Sequence, residues 1–165
     1  MHVKKIQPST KEVIMSLFLV QHGLSLSKEI DPERGLSEDG IATTQRIAEV
    51  AKHYEIPVKK ICHSGKNRAA QTAEVFQEAL NPDHAVAKVD GINPKDDVKL
   101  FSTTIDPASN VMVVGHLPFM EHLVSFLTTG SEDTFVYKFQ NAGIVCLDQN
   151  EKGWFIKWTL NPDIS

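Results

Sequence analysis

The fold is decided by Ser16-Leu17-Phe18-Leu19-Val20-Gln21-His22-Gly23, a short apolar run that leads directly into a polar His-Gly turn. Successive apolar residues with little alternation are typical of a central strand in a parallel sheet that is covered on both faces. Gly23 lets the backbone turn sharply or approach a ligand closely. The run therefore predicts a buried strand with His22 at its carboxyl end, which is where open α/β sheets bind their ligands.

The order of strand, polar turn and helix recurs along the chain. Short apolar runs predict further strands at 58–62, 85–89 and 111–114, and apolar residues at helical spacing predict helices between them. The predicted helices begin after Ser37, after Ser64 acting as a cap, at Asn93-Pro94 and at Pro118, and the last one ends near Gly130. Strands and helices that alternate in this way indicate right-handed βαβ units and a mostly parallel sheet.

The pattern changes to strands alone in the last part of the chain. Strands are predicted at 135–139, 143–147 and 154–160, and Asn150-Glu151-Lys152-Gly153 is typical of a hairpin turn. Such a hairpin adds antiparallel strands at one edge of the sheet. The predicted fold class is therefore α/β, with three layers, a mostly parallel sheet covered by helices on both faces, and a C-terminal antiparallel hairpin.

Length and composition limit the possible functions. The chain has 165 residues, so we expect one domain over 15–165, preceded by a polar N-terminal extension at 1–14. The net charge of -4 provides no general attraction to nucleic acid or to anionic membranes, and no segment has the length of a transmembrane helix. Cys62 and Cys146 lie in apolar runs without a CxxC pair, which favours buried free thiols. Without a signal-peptide cleavage site, a cytoplasmic location is predicted.

Polar residues follow the first, second and fourth predicted strands, and the ends of parallel strands lie at one edge of a sheet. His22, Ser64, Arg68 and His116 are therefore predicted to converge there. A neutral imidazole is a competent nucleophile, and a second histidine with an arginine supplies donors to phosphoryl oxygens. The predicted first turn of a helix contains Arg68, and its N–H groups and dipole also favour an anion. This combination indicates phosphoryl transfer.

These motifs resemble those of the histidine phosphatase superfamily, which has the phosphoglycerate mutase-like fold, and they are close to its SixA-type phosphohistidine phosphatase branch. The resemblance extends from Met15 to Pro162 and includes Leu19-Val20-Gln21-His22-Gly23, Asp31-Pro32-Glu33-Arg34-Gly35-Leu36-Ser37, Ser64, Arg68-Ala69-Ala70-Gln71-Thr72-Ala73 and Gly115-His116-Leu117-Pro118. It implies that His22 is the nucleophile, that Arg68 and His116 bind the phosphoryl group, and that water hydrolyses the phosphohistidine intermediate. It implies no metal and no cofactor. The second ring nitrogen of His22 then needs an acceptor, which we expect in the backbone near Gly23.

Gln21 departs from the family pattern, in which an arginine usually precedes the catalytic histidine. Gln21 can still donate a hydrogen bond, but the lost charge costs roughly 1 to 3 kcal/mol of anion binding. Lys66 is a candidate to replace this charge, and Ser64-Gly65-Lys66 also differs from the usual Ser-Pro start. A subfamily with a rearranged phosphate pocket is therefore predicted. The predicted phosphate-binding residues are Gln21, Ser64, Arg68 and His116.

Candidates for the general acid follow the third predicted strand, where relatives often have a Glu or an Asp. Asp90 and Asp97 are the candidates, although the charges of Asp96 and Asp97 also suit the first turn of the predicted helix. A phosphohistidine or an acyl phosphate has a good leaving group and needs less protonation than a phosphate ester. The lack of a clear acid in the sequence therefore favours such substrates.

The predicted function is hydrolysis of phosphohistidine on a protein partner through a phosphohistidine enzyme intermediate. Segment 89–111 is short, which favours an open pocket that admits a bulky substrate. One alternative is a phosphomonoesterase for a small metabolite, so that the partner is a small phosphate ester. The other alternative, which Gln21 motivates, is a weakly active phosphate- or phosphoprotein-binding module. Neither nucleic acid nor a membrane is a predicted partner.

Overall fold

The computed structural model describes residues 15–164, so the predicted extension at 1–14 lies outside the described residues, as does Ser165. Within this range six strands form one sheet in the order β3-β2-β4-β1-β5-β6. The strands are β1 (Ser16–Gln21), β2 (Lys60–His63), β3 (Ala87–Lys88), β4 (Val111–Gly115), β5 (Ile144–Asn150) and β6 (Gly153–Leu160). The α-helices of the same range are α1 (Glu38–His53), α2 (Asn67–Leu80), α3 (Val98–Ser102) and α4 (Phe119–Thr129).

Strand β1 lies at the centre of the sheet. It pairs in parallel with β4 and antiparallel with β5, and its residues 16–20 are all buried. The strands β4, β2 and β3 continue the parallel part of the sheet. On the other side, β5 and β6 form the antiparallel hairpin at the edge. The predicted central strand, the mostly parallel sheet and the C-terminal hairpin are thus confirmed.

Helices cover both faces of the sheet because the side chains of β1 alternate between two cores. Phe18 and Val20 pack in the core that α1 and α2 cover, and Leu17 and Leu19 pack in the core that α4 covers. The chain moves from β1 through β2 to β3 in one direction across the sheet and then returns to β4 in the other. Right-handed crossovers therefore place α1 and α2 on one face and α3 on the opposite face. The predicted three layers are confirmed.

The helix ends agree with the predicted signals at two places and differ at a third. The Ser37 side chain caps α1 by accepting a backbone N–H of its first turn, and α4 ends at Gly130 with a φ of 80°. The predicted cap at Ser64 is wrong, because α2 begins later and its N-cap residue is Lys66. The Ser64 hydroxyl is instead within hydrogen-bond distance of His116.

The elements between β2 and β4 are shorter than predicted. The predicted strand at 85–89 is reduced to the paired residues of β3, and the predicted start of a helix at Asn93 is wrong because α3 begins at Val98. Asp96 Oδ2 accepts the backbone N–H of Asn93 at 2.7 Å and holds a turn there. Asp97 is the N-cap residue of α3, so the helix-start interpretation is confirmed for Asp97 and is wrong for Asp96.

The predicted strand at 135–139 is wrong, because this segment pairs with no strand of the described sheet. Phe139 is buried in the core under α4, whereas Phe135 is 66% exposed. The Tyr137 hydroxyl donates a hydrogen bond to Asn161 Oδ1 at 2.9 Å. The aromatic residues that suggested a strand therefore serve the packing of a connection between α4 and β5.

The two cysteines are buried free thiols, as predicted. Burial raises the pKa of Cys62 to about 11 and that of Cys146 to about 11, so both remain protonated at neutral pH. Among the helices at 15–164, none combines the length and the apolar character that crossing a membrane requires.

Candidate active site

Four of the predicted site residues meet at the carboxyl edge of the parallel strands. His22 follows β1, Ser64 follows β2, His116 follows β4 and Arg68 lies in the first turn of α2. Arg68 Nε donates a hydrogen bond to His22 Nε2 at 3.1 Å, and the ring centroids of His22 and His116 are 5.0 Å apart. Ser64 Oγ lies 2.6 Å from His116 Nε2. The predicted convergence is confirmed, and the roles of these residues remain predictions.

Hydrogen bonds fix the orientation of the His22 ring. Nδ1 lies 2.7 Å from the carbonyl oxygen of Gly23, and because a carbonyl can only accept, Nδ1 carries the ring proton. Nε2 therefore has the lone pair and faces Arg68. The surrounding backbone is held by Asn141 Nδ2, which donates to His22 O at 2.9 Å, and by Thr72 Oγ1, which accepts from Gly23 N at 2.9 Å. The predicted acceptor at Gly23 is confirmed.

The electrostatics of the site keep His22 neutral. Burial lowers the pKa of His22 to about 4, the hydrogen bond to the Gly23 carbonyl opposes this effect, and the charges of Arg68 and Arg34 lower the pKa further. At neutral pH the Nε2 lone pair is therefore not protonated, which a nucleophilic imidazole requires.

His116 is a buried polar residue of the site, with 1% of its surface exposed. Its Nδ1 is buried without a hydrogen-bond partner among residues 15–164, so Nε2 is the ring nitrogen with a contact. Burial lowers the pKa of His116 to about 3, and nearby positive groups add to this effect. These groups are Arg68, Lys66 and Arg34, together with His22 once it is itself protonated. His116 is therefore also neutral at neutral pH.

Arg34 is a charged residue of the site that sequence reasoning missed. Its charge lowers the pKa values of His22, Arg68 and His116. The Arg34 backbone has a φ of 52°, and the Asp31 carboxylate stabilises this turn by accepting the backbone N–H groups on either side of Arg34. The signal was present, because Arg34 lies within the motif Asp31-Pro32-Glu33-Arg34-Gly35-Leu36-Ser37.

Asn141 was also missed, although it contacts the backbone of His22. Strand β5 is antiparallel to β1 and therefore begins at the edge where β1 ends. Asn141 lies in the connection that enters β5, next to Ala142, whose N–H donates to Gln21 O at 2.9 Å. The sequence signal that could have identified Asn141 is its position just before β5, because a strand antiparallel to β1 starts beside the end of β1.

Gln21 lies on the α4 side of the sheet. It is two residues from Leu19, which packs under α4, and its register partner is Gly115, where an added Cβ would meet the Met120 side chain of α4. Gln21 Oε1 is buried and has no hydrogen-bond partner in the described part of the chain. A contact between Gln21 and phosphate stays a prediction.

The candidate acids differ in their surroundings. Asp97 Oδ1 accepts the backbone N–H groups of Lys99 and Leu100, at 2.8 and 3.2 Å, as the cap of α3. Asp90 is exposed and follows Val89, whose N–H donates to His63 O at the carboxyl edge of the sheet. Neither aspartate has a hydrogen bond to His22 or His116 within the residues that the structure describes. The acid remains a prediction.

Lys66, the predicted replacement for the missing charge, is exposed at the N-cap of α2, and its charge acts on His116. Between residues 15 and 164 there is no group of three or more His, Cys, Asp or Glu side chains that could hold a metal ion. Arg68, Lys66 and Arg34 bring positive charge to His116 at this edge, which suits a phosphoryl group.

No family model matches the chain. It is 27% identical over 154 residues to the phosphohistidine phosphatase SixA of Escherichia coli K12, and the match covers 90% of this chain and 94% of that protein.

The fold is shared with solved structures. A structure of the protein histidine phosphatase SixA complexed with tungstate has a TM-score of 0.79 and 25% identity, covering 90% of this chain and 98% of the other. A proposed SixA from Agrobacterium tumefaciens has a TM-score of 0.72 and 25% identity, with the same coverage. A proposed α-ribazole-5'-P phosphatase from Escherichia coli, 16% identical, has a TM-score of 0.71 and covers 89% of this chain and 96% of its own; it shows the fold alone. The chain is therefore a homologue of SixA and shares the fold of these phosphatases.

Proposed function

We propose that the chain hydrolyses phosphohistidine on a protein partner and that His22 carries the phosphoryl group in the intermediate. The observation that carries this proposal is the state of the His22 ring. Its Nδ1 proton is held by Gly23 O at 2.7 Å, and its neutral Nε2 presents a lone pair beside Arg68. This is the arrangement that an imidazole nucleophile needs. The similarity to SixA supports the substrate class.

The reaction takes place in two displacements. In the first, the Nε2 lone pair of His22 attacks phosphorus, and the bond between phosphorus and the substrate nitrogen breaks with its electron pair leaving on the substrate. In the second, a water oxygen attacks phosphorus and the bond from phosphorus to Nε2 breaks. Inorganic phosphate leaves, a proton of the water passes to solvent, and neutral His22 is restored.

Positive charge stabilises the transferring group, whose negative charge is spread over three oxygens. Arg68 is adjacent to the attacking nitrogen at 3.1 Å and donates to the phosphoryl oxygens when they arrive. Arg34, whose charge already acts on His22 and His116, adds a second positive charge to the site. Lys66 adds a more exposed positive charge at the start of α2. The substitution of the usual arginine by Gln21 is thus compatible with turnover.

Two features favour phosphohistidine on a protein as the substrate, namely the open access to the site and the leaving group of phosphohistidine. Ile92 and Val98, from the connection between β3 and β4, are buried in the core under α4, so this connection packs down onto the sheet. That packing favours an open site which a histidine on a folded protein can approach. Asp97 is held as a helix cap, and a phosphohistidine leaving group needs little protonation. Asp90 remains the candidate when an acid is required.

The nucleophile is tested with His22→Ala, using a phosphohistidine protein and a generic aryl phosphate as substrates. We expect turnover to fall by about a thousandfold or more, because no second nucleophile replaces the ring. The matched control is His84→Ala, which alters an exposed histidine outside the site. An acid-labile phosphoenzyme should form in the control and not in His22→Ala. Equal rates for wild type and His22→Ala would refute the proposal.

The substrate is tested by comparing kcat/KM for phosphohistidine protein with values for a panel of sugar and glycerate phosphates. A preference for phosphohistidine is expected. A preference for one of the small esters would instead identify a phosphomonoesterase. Binding of inorganic phosphate without turnover of any substrate would identify a phosphate-binding module, which is the outcome that Gln21 motivates.

A further inference from the structure

We infer that Lys88, at the end of β3, is a specificity-determining residue that binds a carboxylate of the protein partner beside the phosphohistidine. The lack of a side chain at Gly65 leaves space for Lys88 next to the phosphate pocket, where Lys66 adds a second ammonium group. This inference rests on the proposed function and extends it, because it names the chemical character of the partner surface around the phosphohistidine.

The first argument is the contact between Lys88 and the turn after β2. A Cβ added to Gly65 would lie 3.2 Å from Lys88 Cγ, 2.9 Å from Cδ and 2.7 Å from Cε, so the methylene chain of Lys88 crosses Gly65. Gly65 has a φ of 87°, which a proline cannot adopt because its ring fixes φ at about −65°. The replacement of the usual proline by Gly65 therefore permits both this turn and the position of Lys88.

The second argument is the place of this contact at the carboxyl edge of the sheet. Lys88 is the register partner of His63, the last residue of β2, and Gly65 directly follows Ser64, a predicted phosphate-binding residue. Burial lowers the pKa of His63, the Glu74 carboxylate opposes this effect, and the charge of Lys88 lowers the pKa further. The charge of Lys88 is therefore near the turn that leads from β2 into the phosphate pocket.

The third argument is that the two lysines at this turn have no carboxylate partner. Lys66 and Lys88 are both exposed, and neither forms an ion pair within residues 15–164. Asp90, two residues after Lys88, is also exposed and is not paired with it. Lys66 directly follows Gly65, so two positive charges adjoin one turn and repel each other. A carboxylate from outside the chain is attracted to both lysines and offsets this repulsion.

Charge and access identify the source of this carboxylate as an acidic protein surface. The chain has a net charge of -4, whereas Arg34, Arg68 and Lys66 already bring positive charge to the carboxyl edge of the sheet. An acidic partner is therefore oriented with its acidic surface towards this edge. Because Lys88 is exposed, a carboxylate that flanks the phosphohistidine reaches it while the phosphoryl group lies at His22.

The partner chemistry is tested with two peptides that contain a non-hydrolysable triazole analogue of phosphohistidine, flanked by glutamate in one peptide and by glutamine in the other. Binding to the full wild-type chain is measured by fluorescence anisotropy. At low salt the glutamate peptide should bind about threefold to fivefold more tightly, since exposed charge pairs contribute modestly, and high salt should reduce this preference. Equal affinities at low salt would overturn the inference. Because the analogue binds without turnover, this outcome is separate from that of the His22→Ala test.

Variants then test whether the preference for the glutamate peptide comes from Lys88. Lys88→Met keeps an unbranched apolar side chain without the charge and should reduce the preference to less than about twofold, whereas Lys88→Arg should retain it. The matched control is Lys60→Met, which removes an exposed lysine at the opposite end of β2 and should keep the wild-type preference. A wild-type preference in Lys88→Met would contradict the assignment.

The carboxylate could also belong to a small phosphate ester, and a further comparison separates the two sources. Phosphoglycerate and glycerol phosphate are each used to displace the bound peptide from wild type and from Lys88→Met. We expect Lys88 to change the affinity for the glutamate peptide. A Lys88-dependent preference for phosphoglycerate without one for the glutamate peptide would overturn the protein partner.

The part that Gly65 has in this arrangement is tested by a double-mutant cycle on the ratio of the two peptide affinities. Gly65→Ala should reduce the preference for the glutamate peptide, because the new Cβ displaces the Lys88 side chain. In Lys88→Ala, where no long side chain crosses the turn, Gly65→Ala should leave the ratio unchanged. The ratio cancels a general loss of phosphate affinity caused by strain at this turn. Equal effects of Gly65→Ala in both backgrounds would show that Gly65 does not position Lys88.

Discussion

At the scale of single residues, the positive charge near His22 comes from Arg68 and Arg34, because the residue before His22 is the neutral Gln21. The histidine phosphatase pattern usually has an arginine at the position of Gln21, and Arg34 lies in the loop that follows. Arg34 has a backbone φ of 52°, which a non-glycine residue adopts only when its surroundings hold it there. The Asp31 carboxylate provides this support.

Arg34→Gln should weaken inorganic phosphate binding by about tenfold to a hundredfold, because a charge-assisted contact is lost. Gln21→Arg should strengthen phosphate binding and aryl phosphate turnover in the wild-type background and recover most of the loss in Arg34→Gln. Calorimetry with phosphate and steady-state kinetics measure both effects. Lys52→Gln, an exposed change at the far end of α1, is the charge-matched control. If Gln21→Arg gains neither affinity nor activity in either background, the charge missing at Gln21 does not limit phosphate binding.

His116 also makes the stability of the fold depend on pH. Its pKa is about 3 in the folded protein, whereas an unfolded chain leaves the imidazole at its ordinary pKa of 6.5, so below pH 6.5 the unfolded state binds the extra proton. The stabilisation is complete above pH 6.5 and is lost as the pH falls towards 3.

Denaturant unfolding of wild type at pH 6.5 and pH 5 should show a loss of about 1 to 2 kcal/mol from this histidine, since one proton contributes about 1.4 kcal/mol per pH unit. His116→Phe should reduce the pH dependence by that amount. An identical pH dependence in the two proteins would show that His116 titrates equally in both states.

Single residues were predictable where they directly follow a strand. His22, Ser64 and His116 were identified because an apolar run fixes where each strand ends, and Arg68 because it starts the next helix. Arg34 and Asn141 were missed because they lie in connections, whose paths depend on contacts that local patterns do not encode. The charge of Arg34 and the hydrogen bond of Asn141 act on the site only once the folded sheet places these connections next to it.

At the scale of elements, helix α1 supports the site through a close approach of backbones. Gly40 lies in the first turn of α1, and a Cβ there would meet the backbone oxygen of Leu24, which follows the His22-Gly23 turn. Gly23 also lies close to the first turn of α1, since a Cβ added to Gly23 would be 3.2 Å from Gly40 O. The helix therefore packs directly against the segment that holds His22.

Gly40→Ala should destabilise the protein by about 1 to 3 kcal/mol and reduce turnover, because the backbone of Leu24 must move. Ala42→Ser, at an exposed position in the same helix, should change both by little. Thermal unfolding and aryl phosphate kinetics measure the two effects. Wild-type activity in a folded Gly40→Ala protein would show that this contact does not position the site.

Element ends were predicted where a local signal dominates, as at Ser37 and Gly130. The predictions failed where one side chain had competing partners. Ser64 follows the pattern of a helix cap but is held by His116, and Asp96 closes a turn where a helix start was expected. The aromatic residues at 135–139 favour a strand, but packing against the core determines their conformation.

At the scale of the whole molecule, the sheet is organised around β1, and Phe18 is one of its largest completely buried side chains. Phe18 packs in the core under α1 and α2, where its ring lies 6.0 Å from that of Trp158 in β6. This contact links the central strand to the edge hairpin.

Phe18→Ala should reduce the free energy of unfolding by about 3 to 5 kcal/mol, because it leaves a cavity in a closed core. Phe155→Ala, where the side chain is 39% exposed, should cost less than about 1 kcal/mol. Denaturant unfolding followed by tryptophan fluorescence measures both values. Similar losses for the two variants would contradict the central place of β1. The overall topology itself was predictable, because alternating strands and helices with right-handed crossovers leave few arrangements.

The hydrogen bond from Arg68 to His22 Nε2 also determines what the site does not react with before a substrate arrives. In the proposed mechanism, Arg68 masks the lone pair of His22 Nε2 until an incoming anion draws the guanidinium towards the phosphoryl oxygens, and this movement uncovers the nucleophile. Neutral electrophiles do not draw Arg68 away. Diethyl pyrocarbonate should therefore acylate His22 faster in Arg68→Ala than in wild type, as mass spectrometry of the modified peptide would measure. The site is therefore expected to select anionic substrates over neutral electrophiles before the shape of the substrate matters.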